Sequence, residues 1–431
     1  MLTTEDNDLL TRIGPGTPMG NLLRQYWLPV LMSSELPEDD GAPKRVRILG
    51  EDLIGFRTTT GQVGLLANNC SHRGASLFFG RNEEDGLRCV YHGWKYDVLG
   101  HCVDMPNEPP ETSFADRIRH QAYPCREQSG VIWTYMGPRQ DPPPLPDLEW
   151  MTLPAAHFKL SKTLRESNWA QALEGDFDNA HVSFLHSRLQ IRSGDGLASR
   201  IMNFRKAPYL DVVETEYGVM YCARRDANEQ EYNYRIIQFM FPNFALITTG
   251  GPGSQGIIPG DMWVPIDDEN TMLWGVDWNP TDPLKPDPDP DGSQAHKFLP
   301  NGTGWLDQWQ PVANMTNDYL LDYEIQKNVQ FSGIPTIELQ DKGITESMGR
   351  IFDRTFEHLG TTDAMVVKIR ERLIAAAKAL RDEGVTPPGV DRPELYRLRS
   401  AIVNLPRDVD WVEATREIRK SHTGVAASST V

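Results

Sequence analysis

Two short segments of this 431-residue chain each pair a cysteine with a histidine, and both residue types bind transition metals. One residue separates Cys70 from His72 in the first segment, and two residues separate Cys89 from His92 in the second. Sixteen residues lie between His72 and Cys89. Each segment supplies one thiolate and one imidazole, so the four residues predict one metal centre held between two loops.

The mixture of ligands within each segment favours an iron-sulfur cluster over zinc. A zinc finger normally has two cysteines on one arm and two histidines on the other. In one type of two-iron, two-sulfide cluster, two thiolates hold one iron and two imidazoles hold the other. Two loops can hold both irons of such a cluster when each loop supplies one thiolate and one imidazole. The neutral imidazoles raise the reduction potential of the cluster. The alternatives are a zinc knuckle, or buried cysteines beside hydrogen-bonded histidines.

The residues that flank the two segments are compatible with a cluster. Gly74 and Gly93 allow the backbone to approach the sulfides and leave N–H groups free to donate to them. Trp94 and Tyr96 are placed to shield one side of the cluster.

A second group, Asp178, His181 and His186, has the spacing D-x-x-H-x-x-x-x-H. Asp178 and His181 are three residues apart, which puts them on one face of a helix. The two histidines are five apart, about 140° around an ideal helix, so we predict a break or a π-type widening between Ala180 and His186. Two imidazoles and a carboxylate on Fe(II) leave positions open for O2 and substrate, although two such histidines alone are usually ordinary residues.

The surrounding sequence predicts two β-rich domains that position these groups. From residue 44 to about 136, short runs of β-branched and aromatic residues alternate with turn residues, as in a small antiparallel domain. The proline-rich segment 137–147 is typical of a domain boundary. A helical stretch over 166–189 and several strand-like runs follow, which predict a second, larger antiparallel sheet.

Further elements are expected near the two ends of the chain. A helix from Asn21 is interrupted by Pro29, and an amphipathic helix begins at Asp363. We therefore expect a helical amino-terminal segment, a cluster domain, a catalytic domain and a tail, over residues 1–40, 41–150, 151–395 and 396–431 respectively.

Composition excludes several classes of partner. The chain has 43 Lys and Arg against 60 Asp and Glu, a net charge of −17, which argues against nucleic acid and anionic membranes. No apolar run approaches the ~18 residues of a membrane span, and the first residues lack the features of a signal peptide, so we expect a cytoplasmic protein. The sequence contains no nucleotide-binding motif.

Together, the Cys-x-His and Cys-x-x-His pattern resembles a Rieske domain, and its combination with DNAHVSFLH resembles the large subunit of Rieske non-haem iron ring-hydroxylating oxygenases. The resemblance covers roughly residues 1–390. It implies an α+β fold, with a small antiparallel β Rieske domain and a larger helix-grip catalytic domain. It also implies a [2Fe-2S] cluster, mononuclear Fe(II), and O2 as co-substrate; the ligands would be Cys70, His72, Cys89 and His92 for the cluster and His181 and His186 for the mononuclear iron.

The resemblance further implies an aspartate as third iron ligand, far downstream. The candidates are Asp341, Glu338, Glu346 and Asp353, and the Gln-Asp pair before ITESMGRIFDR looks most like the family's ligand segment, which favours Asp341. By the same resemblance, Asp178 bridges an iron histidine to a Rieske histidine of a neighbouring subunit in a homotrimer or stacked trimers. Otherwise Asp178 is a surface charge.

The length of the chain and its first residues resemble the phthalate dioxygenase branch, which implies ring dioxygenation of an aromatic carboxylate such as a phthalate or a chlorobenzoate. The alternative is O-demethylation of a methoxylated aromatic acid. A buried carboxylate needs a cation, and Arg205 and Arg235 are candidates. The resemblance also implies a partner, a flavin and iron-sulfur reductase, which would oxidise NADH because this sequence has no nucleotide-binding motif. A pure Rieske electron carrier and a zinc-stabilised binding module are the remaining hypotheses.

Overall fold

Antiparallel strands dominate the computed structural model, which describes residues 1–189, 207–248, 256–285 and 297–421. The amino-terminal strands are β1 (Trp27–Met32), β2 (Lys44–Ile48), β3 (Glu51–Arg57), β4 (Val63–Ala67), β5 (Arg81–Glu83), β6 (Gly86–Arg88), β7 (Lys95–Tyr96), β8 (Cys102–Asp104), β9 (Cys125–Gln128) and β10 (Val131–Tyr135). They are followed by β11 (Phe158–Arg165), β12 (Tyr209–Glu214), β13 (Gly218–Asp226), β14 (Glu231–Met240), β15 (Phe244–Leu246), β16 (Ile258–Pro265), β17 (Thr271–Trp278) and β18 (Ala401–Pro406). The helices are α1 (Thr4–Thr11), α2 (Pro18–Leu23), α3 (Trp169–Phe177), α4 (Tyr323–Asn328), α5 (Ile337–Ser347), α6 (Ala364–Glu383) and α7 (Trp411–Ala414).

The amino-terminal strands form three small sheets, which confirms the antiparallel domain expected over 44–136. Their orders are β1-β10-β9, β2-β3-β4 and β5-β6-β7-β8. The first Cys/His segment follows β4, and the second lies in the turn between β6 and β7. Two loops of one β domain therefore carry the two ligand pairs.

The larger domain contains one eight-stranded sheet in the order β11-β17-β16-β15-β14-β13-β12. β18 pairs with the first part of β14 and β15 with the last part, so both lie along the same side of that strand. All of these pairings are antiparallel, and the expected second sheet with helices is confirmed.

Each face of β13 is covered by a different layer. Val219, Tyr221 and Ala223 point into the main core, which also contains buried residues of α3 and α6. The alternate residues Met220 and Cys222 pack in a smaller cluster with Ala401 and Trp411 from the carboxyl-terminal elements. Alternation along the strand thus gives the sheet an inner face, toward α3, and an outer face.

The predicted helix at Asn21 is only partly correct. Helix α2 ends at Leu23, and the apolar residues that follow form β1. Those residues are nearly all buried, and a short apolar run cannot be assigned to helix or strand by periodicity. Pro29 adjoins a register shift between β1 and β10, an irregularity of the kind at which a sheet accepts a residue without an N–H.

The long helix expected over 166–189 is also corrected. Helix α3 begins after the cap residue Asn168 and ends at Phe177. The Asp178 side chain accepts hydrogen bonds from the N–H groups of Ala180, at 2.7 Å, and His181, at 3.3 Å, and this local turn competes with helix continuation. The break therefore precedes Ala180, Asp178 and His181 do not share a helix, and residues 178–189 contain a short 3-10 helix, His181–Ser183, rather than a π-type widening.

The carboxyl-terminal region differs from the tail that the sequence suggested. Helix α6 confirms the amphipathic helix expected from Asp363. The catalytic sheet, however, extends past residue 395, because β18 pairs with β14 over six residues. Arg205 lies outside the described residues. Within the described ranges, no helix combines the length and the apolar character needed to cross a bilayer.

Candidate metal centres

The two loops that carry the Cys/His pairs have the same backbone hydrogen bonds. The N–H of Cys70 donates to the carbonyl of Ala75 at 2.9 Å, and the N–H of Cys89 donates to that of Trp94 at 2.8 Å. In both loops the bond spans five residues and closes a tight turn. The loops therefore present their cysteines in equivalent settings.

A glycine closes each of these turns in the left-handed region. The N–H of Gly74 donates to the Cys70 carbonyl and that of Gly93 to the Cys89 carbonyl, at 2.8 and 2.9 Å. Their φ angles are 75° and 82°, a conformation that glycine adopts at little cost. A Cβ at Gly93 would also lie 2.6 Å from Cγ of Pro106. The two glycines allow the chain to turn back beside the metal ligands.

The imidazoles of His72 and His92 lie side by side with ring centroids 4.4 Å apart. The Nδ1 atoms of both are buried and have no hydrogen-bond partner among the described residues. A buried nitrogen without a partner is unfavourable, and coordination to a metal would satisfy it. Burial, then the neighbouring His72, lowers the pKa of His92 and favours the neutral form that binds metals.

The four residues do not converge as ligands of a single zinc ion would. Among the described residues, three side chains bring their ligand atoms within 4.8 Å of one another only at the second site, the one that contains His181 and His186. No three of the four Cys/His residues do so. Tetrahedral zinc brings its four ligand atoms to within about 2.0–2.3 Å of one centre. The wider arrangement fits two irons instead.

Aromatic side chains cover the cluster loops as the sequence suggested. The Trp94 ring stacks on His72 with centroids 4.5 Å apart, and the Tyr96 hydroxyl lies 3.1 Å from Sγ of Cys70. Sequence reasoning missed His120, which is 5% exposed and whose Nδ1 lies 2.7 Å from Oγ of Ser71. A histidine far along the chain gives no sequence signal for this contact.

The second site brings together two histidines from one loop and an aspartate from α5. The Nε2 atoms of His181 and His186 are 3.1 Å apart. The Asp341 Oδ1 atom lies 3.2 Å from Nε2 of His186 and 3.6 Å from Nε2 of His181. Three ligand atoms that face one another in this way can hold one cation, and two imidazoles with one carboxylate suit non-haem Fe(II).

The other acidic candidates point elsewhere. Glu346 is buried in an ion pair with Lys342 and accepts a hydrogen bond from the Tyr319 hydroxyl at 2.6 Å. Asp353 accepts from the N–H of Thr355 at 2.9 Å. Glu338 is exposed in the first turn of α5. Asp341 alone among the four candidates joins the histidines.

Charge and burial act in opposite directions at the second site. Burial alone would lower the pKa of His186, but the hydrogen bond and charge of Asp341 outweigh it and raise that pKa. Burial would raise the pKa of Asp178, but its hydrogen bonds with His181 and the charge of that histidine lower it. Asp178 is therefore a carboxylate at neutral pH, with Oδ2 3.5 Å from Nδ1 of His181.

Two further contacts support the iron-binding loop and were not expected from the sequence. The Gln340 Oε1 atom lies 2.7 Å from Nδ1 of His186. The buried Arg225 of β13 donates to the Asn179 side chain and carbonyl at 2.6 and 3.1 Å, which anchors the turn after Asp178. The only sequence signal for Gln340 was its position next to Asp341.

Arg235 lies on β14 opposite Ala223, on the inner face of the sheet. Its guanidinium donates to Oγ1 and the carbonyl of Thr248, both at 3.1 Å. No carboxylate of the described residues forms an ion pair with it. Burial lowers the pKa of Arg235. The positive charge of Arg235 acts to lower the pKa of His186, so the guanidinium influences the second site electrostatically.

Comparisons with known proteins agree with both centres. Residues 26–124 match the Rieske [2Fe-2S] domain, and residues 134–430 match the family described as LigXa C-terminal domain like. The 3-chlorobenzoate-3,4-dioxygenase oxygenase subunit of Comamonas testosteroni is 42% identical over 96% of this chain and 98% of its own length. The phthalate 4,5-dioxygenase oxygenase subunit of Pseudomonas putida is 37% identical over 95% and 94%.

Solved structures share the fold at low sequence identity. A variant oxygenase of carbazole 1,9a-dioxygenase, solved in complex with ferredoxin, superposes with a TM-score of 0.55 over 86% of this chain and 94% of that one, at 18% identity. The cofactors of the family are a [2Fe-2S] cluster and a mononuclear iron that uses O2. The chain therefore belongs to the Rieske non-haem iron ring-hydroxylating oxygenases, as an oxygenase subunit of the phthalate dioxygenase-like branch.

Proposed function

We propose that this oxygenase dihydroxylates the ring of an aromatic carboxylate, with a phthalate-like or chlorobenzoate-like compound as substrate. The convergence of His181, His186 and Asp341 carries the proposal, because two imidazoles and one carboxylate can hold Fe(II) and leave coordination positions open. Arg235, on the inner face of the adjoining sheet, supplies a cation that donates to Thr248 and forms no ion pair with a carboxylate of the described residues. Among the carboxylates, Asp176 acts on it through charge alone. The names of both relatives given above describe dioxygenases of aromatic carboxylates.

The residues assigned to the metals fit those groups. Cys70 and Cys89 would hold one iron of the cluster, and His72 and His92 would hold the other through their unpartnered Nδ1 atoms. His181, His186 and Asp341 would hold the mononuclear iron. When bound, the cluster supplies single electrons, and the mononuclear iron supplies the place where O2 is reduced beside the substrate.

Arg235 would bind the substrate carboxylate with two N–H groups, because a buried carboxylate without a cation is strongly disfavoured. The two bonds to Thr248 hold the guanidinium in place before substrate arrives. Arg205 is the second proposed carboxylate ligand. An ion pair at one end of the ring would leave the other end directed toward the iron site.

We also propose that the chain works as a homotrimer or as stacked trimers, in which Asp178 connects His181 to a Rieske histidine of the next subunit. The Asp178 side chain is 32% exposed beside His181, so a second imidazole can reach it. Phe184 and Phe331 are exposed and form a ring pair 5.8 Å apart near the iron loop. Exposed apolar groups of this kind are typical of a protein interface.

Electrons would come from NADH through a partner, a flavin and iron-sulfur reductase, acting alone or through a ferredoxin. The carbazole oxygenase cited above was solved with a ferredoxin bound. The present sequence contains no dinucleotide-binding motif to replace such a partner.

O-demethylation of a methoxylated aromatic acid is the alternative reaction, and labelled oxygen separates the two. The chemically reduced, iron-loaded chain is exposed to 18O2 in separate single turnovers with phthalate, 3-chlorobenzoate, a methoxybenzoate and two uncharged arenes, toluene and anisole. Ring dioxygenation predicts a cis-diol that carries two labelled atoms from one of the first two acids. Formaldehyde and a phenol from the methoxybenzoate alone would favour the alternative, and turnover of uncharged arenes alone would contradict both.

The iron site is tested separately with His181→Ala. This change removes one mononuclear ligand but leaves the Rieske loops intact, so the visible absorption of the cluster should persist while product formation is lost. A pure electron carrier would behave differently, since its electron transfer would survive the substitution. Product formed at the wild-type rate by the variant would overturn the assignment of the site.

A further inference from the structure

The hydrogen-bond partners of Gln340 carry an inference about how the iron ligand His186 is held. Gln340 lies on α5 next to Asp341 and is 3% exposed. Its Oε1 atom is 2.7 Å from Nδ1 of His186, and its Nε2 atom is 2.8 Å from the carbonyl of Ile334. Both ends of this amide are therefore engaged in the interior.

The Ile334 carbonyl fixes the orientation of the amide. A carbonyl oxygen can only accept hydrogen bonds, so the NH2 end of Gln340 must face Ile334 and the oxygen must face His186. Since an amide oxygen cannot donate, Nδ1 of His186 must carry the proton. In the neutral ring Nε2 then has a free lone pair, and this is the atom that faces Asp341 and His181.

The same contacts tie the iron loop to a neighbouring segment. Gln330 also donates to the Ile334 carbonyl, at 2.7 Å, but it is not among the partners of His186. The N–H of Phe331 donates to the carbonyl of Ser187, the residue after His186, at 3.0 Å. Gln340 thus links the histidine ring to a segment that is already hydrogen-bonded to the backbone of the next residue, Ser187.

We propose that Gln340 is a positioning residue that holds His186 in the Nδ1–H tautomer and so presents Nε2 to the mononuclear metal. The inference rests on the proposed role of His186 as an iron ligand. One turn of α5 then serves two ligands, because Asp341 binds the metal directly and Gln340 orients the ring that binds beside it. His181 is supported differently, by the carboxylate of Asp178.

The test measures metal binding by the full-length chain, with its cluster in place and the mononuclear site emptied by a chelator. Co(II) is titrated into the wild type, Gln340→Met, Gln340→Glu and Gln330→Met, and into His181→Ala and His186→Ala to assign the bound ion to this site. Gln340→Met keeps the length of the side chain and removes the acceptor, so Co(II) affinity should fall about 10- to 100-fold. Gln340→Glu keeps the acceptor oxygen for Nδ1 of His186 but loses the donor to the Ile334 carbonyl, so it should recover only part of that loss.

Gln330→Met is the matched control, because it removes a donor to the same Ile334 carbonyl without touching His186. Its affinity should stay within about threefold of the wild type, a change far smaller than loss of a bond to a ligand. A second readout is the exchangeable, paramagnetically shifted proton on Nδ1 of His186, which should exchange faster with D2O in Gln340→Met than in Gln330→Met.

The outcomes separate this inference from the proposed function. If the wild type binds Co(II) and Gln340→Met binds it equally well, or if Gln330→Met loses as much affinity, the positioning role is wrong while the iron site stands. If the wild type binds no Co(II) that depends on His181 and His186, the iron site itself is wrong, and the inference fails with it.

Discussion

Arg235 is the residue whose chemistry bears most directly on substrate choice. Thr248 holds the guanidinium in place, and no carboxylate of the described residues forms an ion pair with it. A fixed, buried cation is unfavourable unless an anion binds beside it. The site should therefore bind aromatic carboxylates more tightly than uncharged rings of the same shape.

Replacement of Arg235 by glutamine should therefore raise KM for the aromatic acid about 10- to 100-fold, the range expected when hydrogen bonds to a charged group are lost. The kcat value should change far less, because the iron ligands are untouched. Steady-state rates with the reductase present measure both constants. Arg224→Gln is the control, since Arg224 lies next to it in the sheet but on the outer face, near Asp211 and Tyr232. Equal effects of both changes would contradict a substrate contact.

Residue types and spacing were sufficient to find the cluster candidates, because C-x-H and C-x-x-H combine two ligand chemistries in two short segments. The candidate Asp341 came from the resemblance, and the structure brings it to the histidines. Gln340 and His120 could not be found in this way. Their contacts join segments separated by 154 and 49 residues, and no local pattern records such tertiary neighbours.

Helix α3 leads directly into the loop that carries His181 and His186, and Glu174 holds this helix in place. The Glu174 carboxylate binds Arg354 at 3.0 Å and Arg370 at 2.8 Å, which joins α3 to α6 and to the segment after α5. Burial alone would raise the pKa of Glu174, but the two guanidinium groups lower it. Because the folded-state pKa lies below the ordinary value, this carboxylate stabilises the fold above that value and ceases to do so as the pH falls through the folded-state pKa.

Glu174→Gln should therefore lower the free energy of unfolding by about 3 kcal/mol at pH 7, since it leaves the buried Arg354 without its charge partner and Arg370 with Glu357 alone. The difference from the wild type should narrow as the pH is lowered toward and below 4, because the wild-type carboxylate then becomes protonated. Urea unfolding over this pH range measures the difference. Glu166→Gln, which breaks the more exposed pair with Arg350, should cost less than about 1 kcal/mol. A pH-independent difference for Glu174→Gln would show that its charge is not the cause.

At the level of elements, the sequence predicted most strands correctly but misjudged two helices. Strands separated by turn residues have a clear pattern, and α6 has the periodicity of an amphipathic helix. The stretch 166–189 was expected to be helical, with a break or a π-type widening between Ala180 and His186. The hydrogen bonds of the Asp178 side chain end the helix instead, and such competition between a side chain and the backbone leaves no trace in hydrophobic periodicity.

The whole molecule places one metal centre in each of two domains of a single chain, and the proposed trimer would join them between subunits. Mixing two inactive chains tests this arrangement. Cys89→Ser removes a cluster ligand and His181→Ala removes a mononuclear ligand, so each homotrimer should be inactive. Co-expressed mixed trimers should regain turnover, because an intact cluster on one subunit can then serve an intact iron site on the next.

The control places both changes in one chain and co-expresses that chain with the wild type. This mixture contains the same mutations, but the cluster and the iron site of any active pair must both come from wild-type chains. Failure of the first mixture, when mass measurement shows mixed trimers, would contradict transfer between subunits. A monomeric mass for the fully active wild type would contradict the trimer itself.

The matching turns around Cys70 and Cys89 have a consequence for the direction from which each histidine approaches. Both turns close at the fourth and fifth residues after the cysteine, yet the histidine stands second in one turn and third in the other. The same turn therefore presents its imidazole in two different directions, and the planes of the two rings form an angle of 73°. We therefore expect the unequal spacing of the two motifs to set the angle between the two rings. Moving either histidine by one position would leave the turn intact but would turn its ring away from the iron that the two residues are proposed to bind.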